Sequence, residues 1–421
     1  MKDISRFFTI YWIIYFPTCI AYNDLPGFSS VDEVMTILLF VYTLWMYGNN
    51  RSINRRPWKE FMVCIGLIAF YTVYSLLFGA NVAGGVWLDL MQEIRPYSII
   101  FCTWILNPRF TKKQKKWMLG TMVVTLFSWI VYHPQTLDTQ VEAEFPVLGQ
   151  LAICTGMSWY LFTKETKRNR NIALLLVLTG MLAPKFIFMG EVVCFIGFVY
   201  FVKNRLNFKS PKTIIYAVLL VTVILMVTWT RFDTYYVSGL SNENLARPMT
   251  YKTSLQILRD YFPFGSGMGT FACNGAWKFY SPLYYKYNLN GIWGLGDASV
   301  GSGCFICDAY YPTLAQFGIV GVFFFCWFWK RRLIAFNKIV DMRYYRVAMI
   351  TFCCLAIEQT ADSSWLSGKG MGYCMLIALC LNANRNMMEQ RRREEMRKEM
   401  MEKRRMAANS ENEQLKLAEK I

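Results

Sequence analysis

The chain has 421 residues, 55% of them hydrophobic and 17% aromatic, with a mean hydropathy of +0.26. Apolar runs near the length of a bilayer span recur throughout, which excludes an ordinary soluble enzyme. A formal charge of +17 would suit nucleic acid, but the 45 Lys and Arg residues cluster between apolar runs, as membrane insertion requires, and no nucleic-acid partner is expected.

Spans are expected at about 7–22, 34–48, 61–79, 88–106, 117–132, 146–162, 172–184, 186–202, 213–229, 311–329, 347–360 and 370–382. The first lacks an A-x-A-like cleavage site and is followed by further spans, so no removable signal peptide is expected. The fold class is therefore all-α and polytopic, with about twelve spans over 1–381. Loops 49–60, 107–116, 164–170, 203–212 and 330–346 carry 4, 5, 4, 4 and 6 Lys or Arg. Each is an even-numbered return to one side, and the positive-inside bias makes that side the cytoplasm. Both termini are expected there. The stretch 382–421 reads as a charged helical tail, with Glu389/Arg393, Glu394/Lys398 and Glu399/Lys403 at i,i+4 spacing.

The basic residues outside this pattern are Arg95, Lys185, Arg231, Arg247, Lys252, Arg259, Lys278, Lys286 and Lys369, all near or beyond the outer face. Cations kept there against the insertion bias need a reason, and the simplest is an anionic substrate. Arg95 follows Glu93, which offers a plain ion pair as its alternative role. Lys185 tips the tight 183–186 hairpin, with Glu191 about two turns into the next span, and snorkelling is its alternative.

The one long excursion from the membrane is 230–310. Within it a helix is expected over 248–261, with Pro248 at its first position and Pro263 beyond its end. Lys252 and Arg259, seven apart, share a face of it with Leu255 and Gln256. Gly265-Ser-Gly-Met-Gly-Thr270 lacks the Gly-Lys-Ser/Thr of a nucleotide loop and reads as a flexible turn with exposed amides. Trp277, Phe279, Tyr280, Tyr284, Tyr285, Tyr287 and Trp293 are dense enough to stack on sugars, or to lie in the headgroups as an interfacial helix. Of the 13 cysteines, Cys273, Cys304 and Cys307 fall in this segment. Cys304-x-x-Cys307 is half a zinc site without a second pair, and His133 is distant in sequence. No metal or other cofactor is expected; a disulfide from Cys273 to Cys304 or Cys307 is.

The order Ala246-Arg247-Pro248, Phe262-Pro263-Phe264-Gly265-Ser266-Gly267, then Asp308-Ala309-Tyr310-Tyr311-Pro312 leading to Gln316-Phe317-Gly318-Ile319-Val320-Gly321 resembles the C-terminal core of the O-antigen polymerase and O-antigen ligase family. The motifs cover roughly 246–321, and the hydropathy plan matches over most of the chain. The resemblance implies a GT-C-like membrane glycosyltransferase of the bacterial inner membrane. It would act on undecaprenyl-diphosphate-linked oligosaccharide at the periplasmic face, in contact with membrane lipid and with a chain-length regulator as a further partner. Arg247 takes the family's outer-loop Arg position. Lys185 stands where the family tends to carry an Arg, a point charge in place of a fork.

Such chemistry adds charge to a diphosphate leaving group, so fixed cations lower the barrier. One cation about 4 Å from a charge contributes roughly 4 kcal/mol at an effective dielectric near 20, before desolvation. Arg247 and Asp308 are the catalytic candidates, the first on the diphosphate and the second as base for the acceptor hydroxyl; capping of nearby helices is the alternative for each. Arg95, Lys185 and Arg259 join Arg247 as candidate diphosphate contacts, and Tyr280, Tyr284 and Tyr285 are candidate glycan contacts. The ligase pattern has His-Asn nine and eight positions before the Gln. Here those positions are Cys307 and Asp308, which favours polymerase over ligase. A flippase for the same lipid-linked glycan is the rival from another class, and should carry polar groups at mid-membrane.

Overall fold

The computed structural model describes residues 2–24, 30–49, 53–132, 146–182, 186–207, 210–242, 244–297 and 303–418. Among them every regular element is helical. In chain order these are α1 (Lys2–Asp24), α2 (Val31–Asn49), α3 (Trp58–Phe78), α4 (Ala83–Leu106), α5 (Lys112–Tyr132), α6 (Pro146–Phe162), α7 (Lys167–Leu178), α8 (Phe186–Ile196) and α9 (Pro211–Phe232). There follow α10 (Ala246–Asp260), the short α11 (Asn274–Lys278), α12 (Pro282–Lys286) and α13 (Tyr310–Thr313), then α14 (Gly318–Asn337), α15 (Met342–Glu358) and α16 (Met371–Ala418). A helix occupies each segment expected to be a span. Four stretches are long and apolar enough to cross a membrane: Val31–Asn49, Trp58–Phe78, Thr213–Thr230 and Tyr310–Asn337. Val147–Phe162 and Phe186–Phe201 are apolar but shorter.

The chain is an all-helical membrane protein, and α9 illustrates why. Ile215, Val218, Leu219, Val221 and Met226 all stay exposed on it, and its main packing partner is α8. Apolar area on that scale left to water would forfeit about 25 cal/mol per Å², whereas in lipid it is at home. At the other extreme α4 is the hub. Most of its residues are buried, packed by α2, α3 and α16.

The bundle has two chemically distinct ends. At one, the basic segments meet each other: Arg343 Nη1 donates to Thr163 O at 3.0 Å, Arg346 Nη1 to Glu165 at 3.0 Å, and Arg205 to Val340 O at 3.2 Å. Glu60 binds both Arg331 and Arg332. Arg332, 2% exposed, is also boxed by Phe101, Trp104 and Phe328 with ring centroids at 5.2, 4.8 and 5.2 Å. Asp341 caps α15 here, accepting from Arg343 N at 2.9 Å, and Thr166 caps α7.

The last helix does not stop at a tail boundary. α16 runs unbroken for 48 residues, roughly 70 Å. Glu389 on it pairs backwards with Arg385 and across to Arg109. The partners expected at Arg393, Lys398 and Lys403 lie outside the described side chains, as does His133.

At the other end sits the segment 233–310, which has a hydrophobic core of its own built from Ile257, Phe271, Ala272, Ala276, Leu283, Tyr284, Leu295 and Ile306. Two local expectations need correction. The helix α10 starts at Ala246 rather than at Pro248, with Leu245 at its N-cap. Cys273, Cys304 and Cys307 are all free thiols, so the expected disulfide is not formed. Cys273 is instead buried as the N-cap of α11, its sulfur accepting from Ala276 N.

Candidate functional site

The first turn of α10 brings Arg247 to the entrance of α13, where Asp308 ends the outer segment. Arg247 Nε donates to Asp308 Oδ2 at 2.7 Å and Nη2 binds the same oxygen. The guanidinium carbon lies 4.4 Å from the centre of the Tyr235 ring. The two side chains keep 14% and 21% of their area exposed, which makes the pair half-enclosed but reachable. Burial alone would lower the Arg247 pKa; the Asp308 carboxylate outweighs it and holds the guanidinium more firmly charged than usual. The helix at the mouth has Ala309 at its N-cap and no side-chain cap hydrogen bond.

A belt of tyrosines fixes this turn to the bundle. Tyr236 and Tyr251 both donate to Thr360 O, at 2.6 and 2.9 Å, and their rings meet edge to face. Burial pushes both phenols above their ordinary pKa, so they remain donors. Tyr311 donates to Ala356 O at 2.9 Å. From Tyr311 and Gln359 an open groove of about 500 Å³ runs along Phe325 and Trp329 to Lys330 and Asn337. It leads from the site toward the basic end between α14 and α15.

Below the pair lies a polar knot. The turn at 265–270 is buried throughout, contrary to the exposed turn expected from its glycines. Its amides are consumed: Gly267 N donates to Gln316 O at 2.9 Å, Met268 N to Ser75 Oγ at 2.6 Å and Gly269 N to Asp89 Oδ2 at 2.9 Å. Gln316 Nε2 donates to Asp89 Oδ2 at 2.6 Å, and Tyr74 donates to Gly265 O at 2.9 Å. The left-handed φ of +74° at Gly269 is required, and a Cβ there would lie 2.5 Å from Gly85 O. No amide of this turn whose partner is named is left for an anion; its work is to clamp the outer segment onto α3 and α4.

The remaining candidates separate. Arg95 is 2% exposed in α4 and binds Asp32 at 2.7 Å, Glu33 at 2.5 Å and Leu366 O. Its carboxylate partners come from α2, not from Glu93, which instead accepts from Tyr310 at 3.3 Å. Arg95 thus joins three elements from inside the bundle, and neither Arg247 nor Asp308 is among these partners. Arg259 is 79% exposed and pairs with neighbouring Asp260 at 3.0 Å. That bond and the one from Tyr287 hold the Asp260 carboxyl below its usual range. Arg259 lies twelve residues along α10 from Arg247, roughly 18 Å away, on the exposed face it shares with Lys252 and Leu255. Lys185 lies outside the described residues.

Of the aromatic candidates, Tyr284 is fully buried, its oxygen accepting from Ala272 N at 3.1 Å, so it packs the outer core and has no face for a sugar. Tyr280 is half-buried and donates to Leu295 O at 3.0 Å; burial raises its phenol to about 12. Tyr285 is 55% exposed and stands edge-on to Tyr280 at 5.2 Å. The segment is two short helices separated by the left-handed Tyr280, and not one interfacial helix.

Tyr235, Tyr236 and Tyr251 around the arginine, and Asp89 in the knot, were not marked by any motif. Asp89 and Glu93 are four apart on one face of an expected span, which is the signal that points to them. Among the described residues, no group of three or more His, Cys, Asp or Glu side chains is placed to hold a metal ion. No protein-family model matches the chain, and no curated protein matches it.

Proposed function

We propose that this chain is a polymerase of the O-antigen polymerase type, a GT-C-like membrane glycosyltransferase with about twelve spans and both termini in the cytoplasm. It joins undecaprenyl-diphosphate-linked repeat units of a surface polysaccharide at the periplasmic face of the bacterial inner membrane. The observation that carries this reading is the half-exposed Arg247–Asp308 pair, at the end away from the basic loops and beside the mouth of an open apolar groove.

In this reading the donor's lipid chain occupies the groove below Tyr311 and Gln359. Its diphosphate exchanges for Asp308 as the partner of Arg247, whose fork suits phosphate oxygens and stays charged. Charge grows on the leaving diphosphate as the anomeric bond breaks, and Arg247 stabilises it more strongly then. Asp308, released from the arginine, accepts the proton of the acceptor hydroxyl. Tyr285 and Tyr280, at the accessible edge of the outer core, contact the glycan.

The test is deletion of the gene followed by gel analysis of surface glycan. Loss of long chains with single repeats retained supports a polymerase. Loss of all attached glycan while lipid-linked polymer accumulates supports ligation to a lipid or protein acceptor. Transport of the same lipid-linked glycan is favoured by one observation, the carboxyls of Glu191 and Glu358 buried inside the bundle. Polymer formed by the purified protein from lipid-linked repeats in detergent excludes it.

A further inference from the structure

Two carboxyl groups deep in the bundle take no part in the Arg247 site. Glu191 on α8 and Glu358 at the end of α15 are 1% and 2% exposed. The single hydroxyl of Tyr373, on α16, bridges them, 3.4 Å from Glu191 Oε2 and 3.1 Å from Glu358 Oε1. One hydroxyl proton cannot serve two anions, and two carboxylates sharing one hydroxyl in a low dielectric cannot both stay ionised without a positive charge beside them.

Among the described residues no side-chain cation is paired with either carboxyl. The nearby Lys369 is engaged with Asp362 at 3.4 Å. The surrounding polar groups are oxygen donors instead. Gln150 of α6 lies beside Glu358, and its Nε2 donates to Ser364 Oγ at 2.5 Å. Ser364 in turn donates to Asp362 at 2.8 Å. Gln150 is 5% exposed, yet its Oε1 has no hydrogen-bond partner, and neither does Glu358 Oε2. A buried amide oxygen and a buried carboxylate oxygen left open beside an acid pair are groups waiting for a positive charge.

We infer that Glu191, Glu358, Gln150 and Tyr373 form a site for one monovalent cation, a proton or a sodium ion, enclosed by α6, α8, α15 and α16. Hard oxygen donors suit either. A divalent ion would ask for more carboxylates than the pair provides, since among the described residues no third Asp, Glu, His or Cys joins it in a metal-holding group. The titratable and charged groups facing the pair are Tyr373 of α16, Asp362 and Lys369 of the 359–370 connection, Cys154 of α6, Cys194 of α8 and Cys354 of α15. From α9 the neighbour of Gly190 is the apolar Ile224. The site stands on its own geometry, whatever the Arg247 site transfers.

The experiment uses the full chain purified in detergent, wild type beside Glu191→Gln, Glu358→Gln and the double variant. If a proton is held, the infrared spectrum at neutral pH contains a protonated-carboxyl band that each single variant diminishes by one carboxyl. If sodium is held, the thermal midpoint of the wild type rises by about 2 °C for each tenfold increase in NaCl over matched choline chloride, and the double variant loses that response. The sodium comparison on wild type needs no variant to fold. Equal midpoints in both salts together with a carboxyl band unchanged in the variants overturn the proposal. So do equal midpoints with no protonated-carboxyl band in the wild type.

Discussion

Gln316 donates to Asp89 Oδ2 at 2.6 Å across 227 positions of sequence, and the same carboxylate oxygen accepts from Gly269 N. One buried acid on α4 thereby holds both the Gly-rich turn and the entry to α14. Replacing Gln316 by Ala removes one donor from a carboxylate that has no access to water, at a cost of about 1–3 kcal/mol. The expected result is a lower thermal midpoint in detergent and reduced protein level. A Gln316→Ala protein as stable as wild type would show that the knot does not hold the outer segment.

Arg95 and Arg247 predict opposite phenotypes. Arg95→Ala strands Asp32 and Glu33 inside the bundle, and breaking a buried ion pair on one side costs roughly 3–5 kcal/mol. The protein should be lost from the membrane, as read by immunoblot. Normal levels of Arg95→Ala would mean that the two acids find water or a proton without difficulty.

Arg247→Ala, by contrast, should leave protein level close to wild type and abolish polymer. Arg247→Lys should retain part of the activity, because charge survives and the bidentate fork does not. Exchange of the pair, Arg247→Asp with Asp308→Arg, separates holding from chemistry. It should recover stability lost in either single change without recovering polymer. Polymer of normal length from a well-expressed Arg247→Ala protein would end the catalytic role of this residue.

Reporter fusions after Lys212 and Asn290 should fall on opposite sides of the membrane, because 233–310 occupies the end away from the basic segments. Both reporters in one compartment would remove the basis for a periplasmic site.

Removal of Tyr285 and of Tyr284 should differ in kind. Tyr284→Ala opens a cavity in the outer core and costs roughly 3–5 kcal/mol, as large aromatic truncations do. Tyr285→Ala, at an exposed position, should leave the melting midpoint in place and raise the substrate concentration needed for half-maximal polymer formation. An unchanged concentration dependence would free Tyr285 of any glycan contact.

Much of the helical plan was legible from apolar run length alone, down to the ends of α6 at 146 and 162. The meeting of Arg247 with Asp308 was half legible: both residues stand out by charge in the segment expected outside the membrane, but nothing local shows that they touch across 61 positions. The Gly-rich turn was misread because its partners Ser75 and Asp89 lie 193 and 180 positions earlier, and composition describes a turn's freedom without its surroundings. Arg95 had Glu93 two residues away, but on a helix residues two apart point to different faces. Its true partners sit at the start of α2. The aromatic run defeated periodicity for a simpler reason. Ala272, Tyr280 and Asn288 adopt left-handed backbone angles, which reset the helical phase within a few residues and send neighbouring tyrosines to opposite fates.

The wide sequence separation in the knot also sets a schedule for biogenesis. Asp89 leaves the ribosome 227 residues before Gln316, an interval of roughly 10–50 s at ordinary elongation rates. Throughout that time α4 carries an acid that has none of its final donors. The nascent bundle must therefore tolerate a protonated or water-solvated Asp89 until the outer segment arrives. Chains truncated before α14 should remain bound to insertion factors and open to added protease, while the completed chain closes all at once.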